Sequence, residues 1–211
     1  ANVACYGEFW LGAGKGIESM VLLTLGTGVG GGIVVLNQLL RGPDGTAAEI
    51  GHLCVCRDGR ECNCGARGCL ETYASVTGMV RTAVEGIHNG AKTLLIERCN
   101  QDLNRLTGKM ISDAAVQGDE FAQWVIRETG IWLGTAIGSL INLLNPERVV
   151  LAGGMVAAGE MLFEPIRETA LKQSFEVPGH RAMIVRAELA PDSGVIGAAG
   201  CALERYMKAA K

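Results

Sequence analysis

The chain has 211 residues, of which 48% are hydrophobic and 19% charged, and its formal net charge is −3. This length can bury a substantial core, as one large domain or two small ones. The charge is slightly acidic and forms no basic stripe, so composition gives no support for nucleic-acid binding.

The first elements predicted are a helix and a group of short strands. Residues 1–14 have the pattern of a helix that ends at glycines. The apolar run 20–25 predicts a buried strand, and 33–36 and 38–41 predict two more. A glycine-rich turn, residues 26–32, separates the first two strands.

An irregular, polar and cysteine-rich segment follows at residues 42–68. It is too long for an ordinary connection, so we expect it to be functional or held by a metal. Ser75 is the predicted N-cap of a helix, because the apolar residues from Val76 to Ile87 follow helical spacing. Residues 92–107 are also predicted to be helical.

The rest of the chain alternates helices and strands. Helices are predicted over 111–117 and 120–144, and Asn145-Pro146 ends the second. A strand, a helix, a strand and a closing helix then follow over residues 148–152, 160–174, 183–187 and 195–209. This order predicts a single α/β domain in which helices cover a mixed sheet.

The longest uncharged run, residues 129–146, contains Gly130, Gly134 and Gly138. A membrane helix could use such a ladder of small residues to dimerise. The asparagines in the run and the amphipathic stretch before it favour a buried helix of a soluble domain, whose glycines admit a close neighbour.

The cysteines are crowded, since five of the eight lie within sixteen residues. This is the spacing of a metal site rather than of a disulfide framework, and it suits a reduced, cytoplasmic protein. A complete tetrahedral ligand set for Zn²⁺ is formed by His52, Cys62, Cys64 and Cys69. With no position left open, the zinc would be structural. Cys54 and Cys56 lie close enough to compete for a place.

Two glycine-rich turns follow predicted strands. In residues 26–32, successive glycines expose backbone N–H groups that can bind an anion, and Thr27 adds a hydroxyl. Gly153-Gly154 follows the strand 148–152, at the strand end where α/β sheets bind ligands. A plain hairpin and a plain strand-to-helix turn are the alternatives.

Two acids flank the cysteine cluster, Glu49 and Glu71. Carboxylates accept paired hydrogen bonds from the neighbouring hydroxyls of sugars. Two merely exposed acids are the alternative, but attachment to the metal loop favours a binding role.

Together these motifs resemble the ROK family of sugar kinases and sugar-responsive repressors. The resemblance covers almost the whole chain and rests on four segments. Residues 25–32 resemble a phosphate motif, and residues 49–52 resemble an E-x-G-H sugar segment. Residues 62–71 resemble a C-x-C-G-x-x-G-C-x-E zinc signature, and residues 143–154 resemble a strand before an adenosine motif. It implies an α/β domain of actin/hexokinase-like (ribonuclease H-like) fold, with a zinc and sugar loop over residues 42–73.

The resemblance also implies a role for each matching residue. Sugar hydroxyls would contact Asn2, Glu49, His52 and Glu71. The phosphates of ATP, bound with Mg²⁺, would contact Gly26, Thr27 and Gly28, and the nucleoside would contact Gly153 and Gly154. Structural zinc would be held by His52, Cys62, Cys64 and Cys69, with the other side of His52 facing the sugar.

One motif of the family's kinases, D-x-G-G-T, does not occur in these 211 residues. The opening Ala1-Asn2-Val3-Ala4 is similar to the end of the family's N-D-x-N segment. The resemblance therefore implies that residues 1–211 form one C-terminal domain, with the N-terminal domain outside the chain and the catalytic Asp just before Ala1. We expect the C-terminal domain of an ATP-dependent hexose kinase, foremost a glucokinase, inactive on its own.

Two other functions stay open. One is the sugar-sensing effector domain of a ROK transcriptional repressor. The other is a zinc-stabilised domain used for oligomer contacts, with the helix around residues 130–138 at the interface. The resemblance further implies a cytoplasmic homodimer or homotetramer acting on a hexose or amino sugar, and it does not name the sugar.

Overall fold

The structure is a computed structural model that describes residues 1–209. Within those residues the strands are Met20–Leu25 (β1), Val29–Val35 (β2), Gln38–Leu39 (β3), Arg148–Ala152 (β4) and Met183–Arg186 (β5). They form one mixed sheet in the order β3-β2-β1-β4-β5. β1 pairs antiparallel with β2 and parallel with β4, and β4 pairs parallel with β5. The predicted mixed sheet is confirmed.

Helices cover both faces of this sheet. They are Asn2–Leu11 (α1), Glu71–Ala74 (α2), Val76–His88 (α3), Leu95–Arg98 (α4), Gly108–Val116 (α5), Glu120–Leu144 (α6), Glu160–Gln173 (α7), Glu176–Arg181 (α8) and Ser193–Ala209 (α9). Val21 and Leu23 of β1 belong to the larger core, under α3 and α5 to α7, whereas Leu22 belongs to a smaller core with Cys5 of α1. None of the helices described between residues 1 and 209 is long and apolar enough to cross a membrane.

Strand β2 begins four residues earlier than predicted. Leu25 pairs with Val29, which leaves a turn of only residues 26–28, so the prediction of a turn over 26–32 was wrong. The later glycines are strand residues whose missing side chains make room for neighbours. A Cβ on Gly31 would overlap the Ala48 carbonyl oxygen, and one on Gly32 would overlap the side chain of Cys5.

The predicted helix over residues 92–107 was also wrong. The chain forms only the short α4 there, followed by a 3-10 turn at Leu103–Arg105. Asn100 and Gln101 have φ values of 53° and 62°, which a right-handed helix does not contain. Two consecutive left-handed residues therefore end the helix early.

Helix α6 uses its glycine ladder as predicted, to admit a close neighbour, and that neighbour is α7 of the same chain. A Cβ on Gly134 would lie 2.7 Å from the Ile166 carbonyl oxygen, and one on Gly130 would lie 2.9 Å from that of Leu162. Since α7 covers this glycine face, an oligomer interface on α6 would use another face of the helix, and the oligomer alternative stays a prediction.

A buried carboxylate connects the first helix to the start of the last. Glu8 of α1 is fully buried and accepts hydrogen bonds of 2.6–3.0 Å from the N–H groups of Ala13, Glu188 and Leu189 and from the Ser193 hydroxyl. Burial alone would raise the pKa of Glu8. The four hydrogen bonds to the charged form together outweigh burial and hold this pKa below its usual value.

Glu8→Gln is expected to lower the free energy of unfolding by roughly 3 kcal/mol at pH 7, because the amide places N–H donors against other N–H donors. The folded-state pKa lies below the unfolded-state value of about 4.3. The advantage of the wild type should therefore be complete above that pH and shrink as the pH falls below it. Urea unfolding of both proteins, from pH 7 down to acidic pH, measures the difference in their free energies of unfolding. A difference that does not narrow as the pH falls would contradict the prediction.

Candidate functional site

The candidate site is built where the carboxyl ends of β1 and β4 lie side by side. β1 continues into the turn 26–28, and β4 continues into Gly153 and Gly154. Gly153 has a φ of 98°, and a Cβ there would overlap the Leu25 carbonyl oxygen. The two glycine motifs, 125 or more residues apart in sequence, therefore lie against each other at one edge of the sheet.

The turn 26–28 is fastened to the start of helix α3. The Val76 N–H donates to the Gly26 carbonyl at 2.9 Å, and the Thr77 hydroxyl donates to the Thr27 carbonyl at 2.9 Å. Ser75 caps the helix as predicted, since its hydroxyl accepts from the Gly78 N–H at 2.9 Å. The turn is thus held in place before any ligand binds.

A cavity of about 420 Å³ opens over this turn. Its walls bring together residues from both glycine motifs and the cysteine-rich loop: Thr27, Gly28, Glu49, His52, Glu71 and Gly153. Three of the four residues that the resemblance assigns to a sugar therefore face the same space as the residues it assigns to phosphate.

Glu71 is half-buried and is attached to the start of β2, directly after the turn. Its Oε2 accepts a hydrogen bond of 2.9 Å from the Val29 N–H, and a Cβ on Gly28 would overlap the same oxygen. One carboxylate oxygen is therefore bound to the first residue of β2, while the side chain still lines the cavity. The alternative that Glu71 is merely an exposed acid does not fit this arrangement.

The predicted ligand set is assembled in the structure. The donor atoms of His52, Cys62, Cys64 and Cys69 all lie within 4.8 Å of one another. Nδ1 of His52 lies 3.7 Å from Sγ of Cys62, and Sγ of Cys64 lies 3.7 Å from Sγ of Cys69. A tetrahedral site with Zn–S bonds of about 2.3 Å has edges of about 3.8 Å between ligands. The donor set and its dimensions fit Zn²⁺.

Within the described part of the chain, Cys54 and Cys56 do not belong to the cluster of potential metal ligands. Cys54 is exposed and pairs with Cys69 in an isolated antiparallel bridge. Gly68 has a φ of 75°, and a Cβ there would overlap the Cys56 carbonyl oxygen, so only glycine fits where the loop returns to Cys69.

The thiols of the cluster differ in pKa. A backbone hydrogen bond from Ala66 lowers the pKa of Cys64 to about 7, and burial raises the pKa of Cys69 to about 12. A divalent cation stabilises thiolates directly, so coordination would overcome the cost of ionising the buried Cys69.

Asn2 lies in the first turn of α1, and it is not among the residues that line the cavity. Its Oδ1 is buried and has no hydrogen-bond partner among the described residues. Its contact with a sugar stays a prediction. Sequence reasoning missed Thr24, which lines the cavity. The only signal was its position as the single polar residue of an apolar strand.

A second, more apolar cavity of about 470 Å³ lies beyond Gly154. Val76 and Met79 of α3 form one wall, and Met155 and Met161 form another. Gly153 lines the first cavity and Gly154 lines this one, so the glycine pair lies between the two cavities.

The family model that matches this chain is described as the ROK family, and it covers residues 1–205. A glucokinase from Halalkalibacterium halodurans is 43% identical over 198 residues, which are 93% of this chain and 60% of that protein. The xylose repressor of Caldicellulosiruptor bescii is 30% identical over 197 residues, 93% of this chain and 49% of that protein.

Among solved structures, a ROK family glucokinase from Streptomyces griseus in complex with glucose and AMPPNP matches with a TM-score of 0.85 and 37% identity. The match covers 95% of this chain and 65% of that one. The chain thus spans about three fifths of the length of the curated glucokinase it matches.

Proposed function

The chain belongs to the ROK family, and from this premise we propose that it supplies the sugar-binding and nucleotide-binding surfaces of an ATP-dependent hexose kinase, most simply a glucokinase. The observation that carries the proposal is the shared cavity over the turn 26–28, whose walls also include Glu49, His52 and Glu71. Carboxylates and an imidazole suit sugar hydroxyls, and a glycine turn suits phosphates. Phosphate donor and hydroxyl acceptor can therefore meet there.

On the sugar side, Glu49 and the second oxygen of Glu71 would accept hydrogen bonds from neighbouring hydroxyls. His52 has its Nδ1 next to the thiol of Cys62, at 3.7 Å, and its ring lines the cavity. Nδ1 would therefore bind the metal, which leaves Nε2 to contact the sugar.

The metal in this proposal is a structural Zn²⁺ held by His52, Cys62, Cys64 and Cys69. Four protein ligands fill its coordination, so it supplies shape and no open position for chemistry. Its ligands lie close in sequence to the sugar contacts: Glu49 is three residues before His52, and Glu71 is two residues after Cys69. Fixing the loop thus fixes both acids.

On the nucleotide side, the phosphates would lie along the turn 26–28 and the nucleoside beyond Gly153 and Gly154, in the apolar cavity next to Met79. A sugar hydroxyl would attack the γ-phosphorus of ATP in line, so that the new O–P bond forms while the bond to the bridging oxygen breaks and ADP leaves. Backbone N–H groups of the turn, with the Mg²⁺ that accompanies ATP, would stabilise the charge on the transferring group.

The attacking hydroxyl must lose a proton to a general base. The carboxylates that line this cavity in the described part of the chain are Glu49 and Glu71, and both are assigned to binding. From the resemblance we expect the catalytic Asp just ahead of Ala1. We therefore propose that the 211-residue chain binds its ligands weakly and does not transfer phosphate alone.

Three further expectations from the resemblance belong to this proposal. Residues 1–211 would form one C-terminal domain of a longer kinase. That kinase would act in the cytoplasm on a hexose or amino sugar. It would assemble as a homodimer or homotetramer.

The effector domain of a ROK repressor is a second candidate, favoured by the 30% identity with a xylose repressor. Such a sensor needs the sugar site and the metal but not a turn for phosphate. We favour the kinase because the turn is fixed by α3 and opens into the same cavity as the sugar residues. Binding of AMPPNP would support the kinase over the sensor.

Glu49→Gln in the full-length gene product is expected to raise KM for the sugar about 10-fold to 100-fold, because a hydrogen bond to a charged group contributes roughly 1.5–3 kcal/mol. KM for ATP should change by less than about twofold, because the nucleotide contacts lie elsewhere. A coupled assay of ATP-dependent glucose phosphorylation measures both constants.

The matched control is Asp58→Asn. Asp58 is an acid of the same loop, and its side chain is 91% exposed. The substitution should leave both constants at the wild-type values. Equal sugar KM values for Glu49→Gln and Asp58→Asn would contradict the proposed site.

A further inference from the structure

Arg60 lies two residues before Cys62, but its side chain leaves the cysteine-rich loop and enters the junction between α2 and α3. Only 11% of this side chain is exposed. The guanidinium donates hydrogen bonds of 2.6–3.3 Å to four acceptors: the carbonyl oxygens of Thr72 and Gly78, the hydroxyl of Thr82 and the carboxylate of Glu85.

Tyr73 provides a second attachment for the same residue. The Arg60 backbone N–H donates to the Tyr73 hydroxyl at 2.7 Å, and the guanidinium lies over the tyrosine ring, 4.7 Å from its centroid. The ring also packs against Trp132 of α6, with centroids 4.4 Å apart. Arg60 therefore fastens the loop directly to α2 and α3, and through the Tyr73 ring to α6.

Two of the hydrogen-bond partners of Arg60 are direct sequence neighbours of Cys69, a proposed metal ligand, and of Glu71, a proposed sugar contact. The Arg60 carbonyl accepts from the Gly68 N–H at 2.8 Å, and Gly68 precedes Cys69. Thr72, whose carbonyl accepts from the guanidinium, follows Glu71, and its hydroxyl donates to the Cys69 carbonyl at 2.7 Å. None of these bonds uses the side chain of a proposed metal ligand.

Arginine suits this position for a physical reason. A planar guanidinium offers five N–H donors in a fixed fork, and its bonds to a carboxylate are charge-assisted. Arg67 in the same loop is different, because its side chain is 55% exposed and its carboxylate partner, Glu61, is 81% exposed. Such a surface pair contributes little to stability.

We propose that Arg60 is a positioning residue, which holds Glu71 and Cys69 in their binding geometry through contacts that persist without the metal. Arg60 is not among the residues that line the cavity, so it acts through Thr72 and Gly68. The inference rests on the proposed sugar site and names the side chain that keeps this site assembled.

The test compares Arg60→Met, Arg60→Lys and the control Arg67→Met in the full-length gene product. Hydrogen–deuterium exchange of peptides spanning residues 61–73 is measured before and after metal removal by a chelator, and glucose affinity is measured by calorimetry on the metal-loaded proteins. We expect the chelated wild type to keep protection in these peptides and chelated Arg60→Met to exchange at least about tenfold faster.

In the metal-loaded state, Arg60→Met should weaken glucose binding about tenfold or more, which corresponds to at least one lost charged hydrogen bond. Arg60→Lys should recover part of the affinity, because it restores the charge without the fork. Arg67→Met should match the wild type in both measurements.

Equal exchange by the chelated wild type and chelated Arg60→Met would overturn the proposal. Faster exchange throughout the chain with unchanged glucose affinity would also overturn it, because Arg60 would then serve only the stability of the fold. If the wild type binds no hexose, the kinase proposal fails, while the exchange comparison still decides the role of Arg60.

Discussion

Replacing Cys69 by serine is expected to abolish tight zinc binding and, with it, sugar binding. Cys69 is fully buried, and its sulfur lies 3.7 Å from that of Cys64. A serine hydroxyl does not ionise at neutral pH and is a poor zinc ligand, so the site loses one of four bonds. Structural zinc sites bind with apparent free energies of about 10–16 kcal/mol, which makes the loss of one ligand severe.

The sugar side should weaken as well, because His52 is both a metal ligand and a proposed sugar contact, and its ring loses the metal that orients it. We expect Cys69→Ser to retain less than about a tenth of the wild-type zinc after dialysis and to bind glucose about 100-fold more weakly. Elemental analysis and calorimetry measure the two quantities. Cys54→Ser is the matched control, because Cys54 is exposed, lies in the same loop and stands outside the cluster. Similar zinc loss in both variants would contradict the ligand assignment.

Replacing Gly153 by alanine is expected to damage the nucleotide side. Gly153 has a φ of 98°, and a Cβ there would overlap the Leu25 carbonyl oxygen and lie 2.8 Å from its carbon. Strain and backbone collision together should lower the free energy of unfolding by about 3 kcal/mol. Because Leu25 leads directly into the turn 26–28, KM for ATP should also rise at least about tenfold.

Gly118→Ala separates backbone strain from collision. Gly118 has a φ of 91°, but a Cβ there would meet nothing within 4 Å. Gly118→Ala should lower the free energy of unfolding by about 1 kcal/mol and leave KM for ATP unchanged. Thermal or urea unfolding and the coupled assay measure both variants. A Gly153→Ala variant that behaves like Gly118→Ala would show that the contact between the two glycine motifs does not matter.

The elements predicted best from sequence are those with uninterrupted patterns and clear ends. β1, α6 and β4 match their predicted ranges at both ends. The end of α6 could be predicted because Asn145 precedes a proline. In the structure Asn145 takes the left-handed conformation that commonly ends a helix, with a φ of 47°. Local chemistry was sufficient in these places.

Glycine was the source of one error. A run of glycines is compatible with a turn and with a strand packed closely against other backbone, and sequence does not separate the two. Gly31 and Gly32 lie in β2 because Ala48 and Cys5 approach them, and those neighbours are known only from the fold.

The candidate site divides in the same way. The four cluster residues lie within 18 positions of one another, so spacing alone indicated a metal site. The bond between Glu71 and Val29 joins residues 42 positions apart, and the contacts of Arg60 depend on where α2 and α3 pack. Neither leaves a pattern in the sequence.

The most direct measurement is ATP-dependent phosphorylation of a panel of hexoses and amino sugars, together with zinc content, for the full-length gene product and for the 211-residue chain. The account predicts about one zinc per chain in both proteins and phosphorylation, of glucose foremost, by the full-length product alone. A full-length product that holds zinc and binds a sugar but transfers no phosphate to any member of the panel would contradict the kinase and point to a sugar sensor.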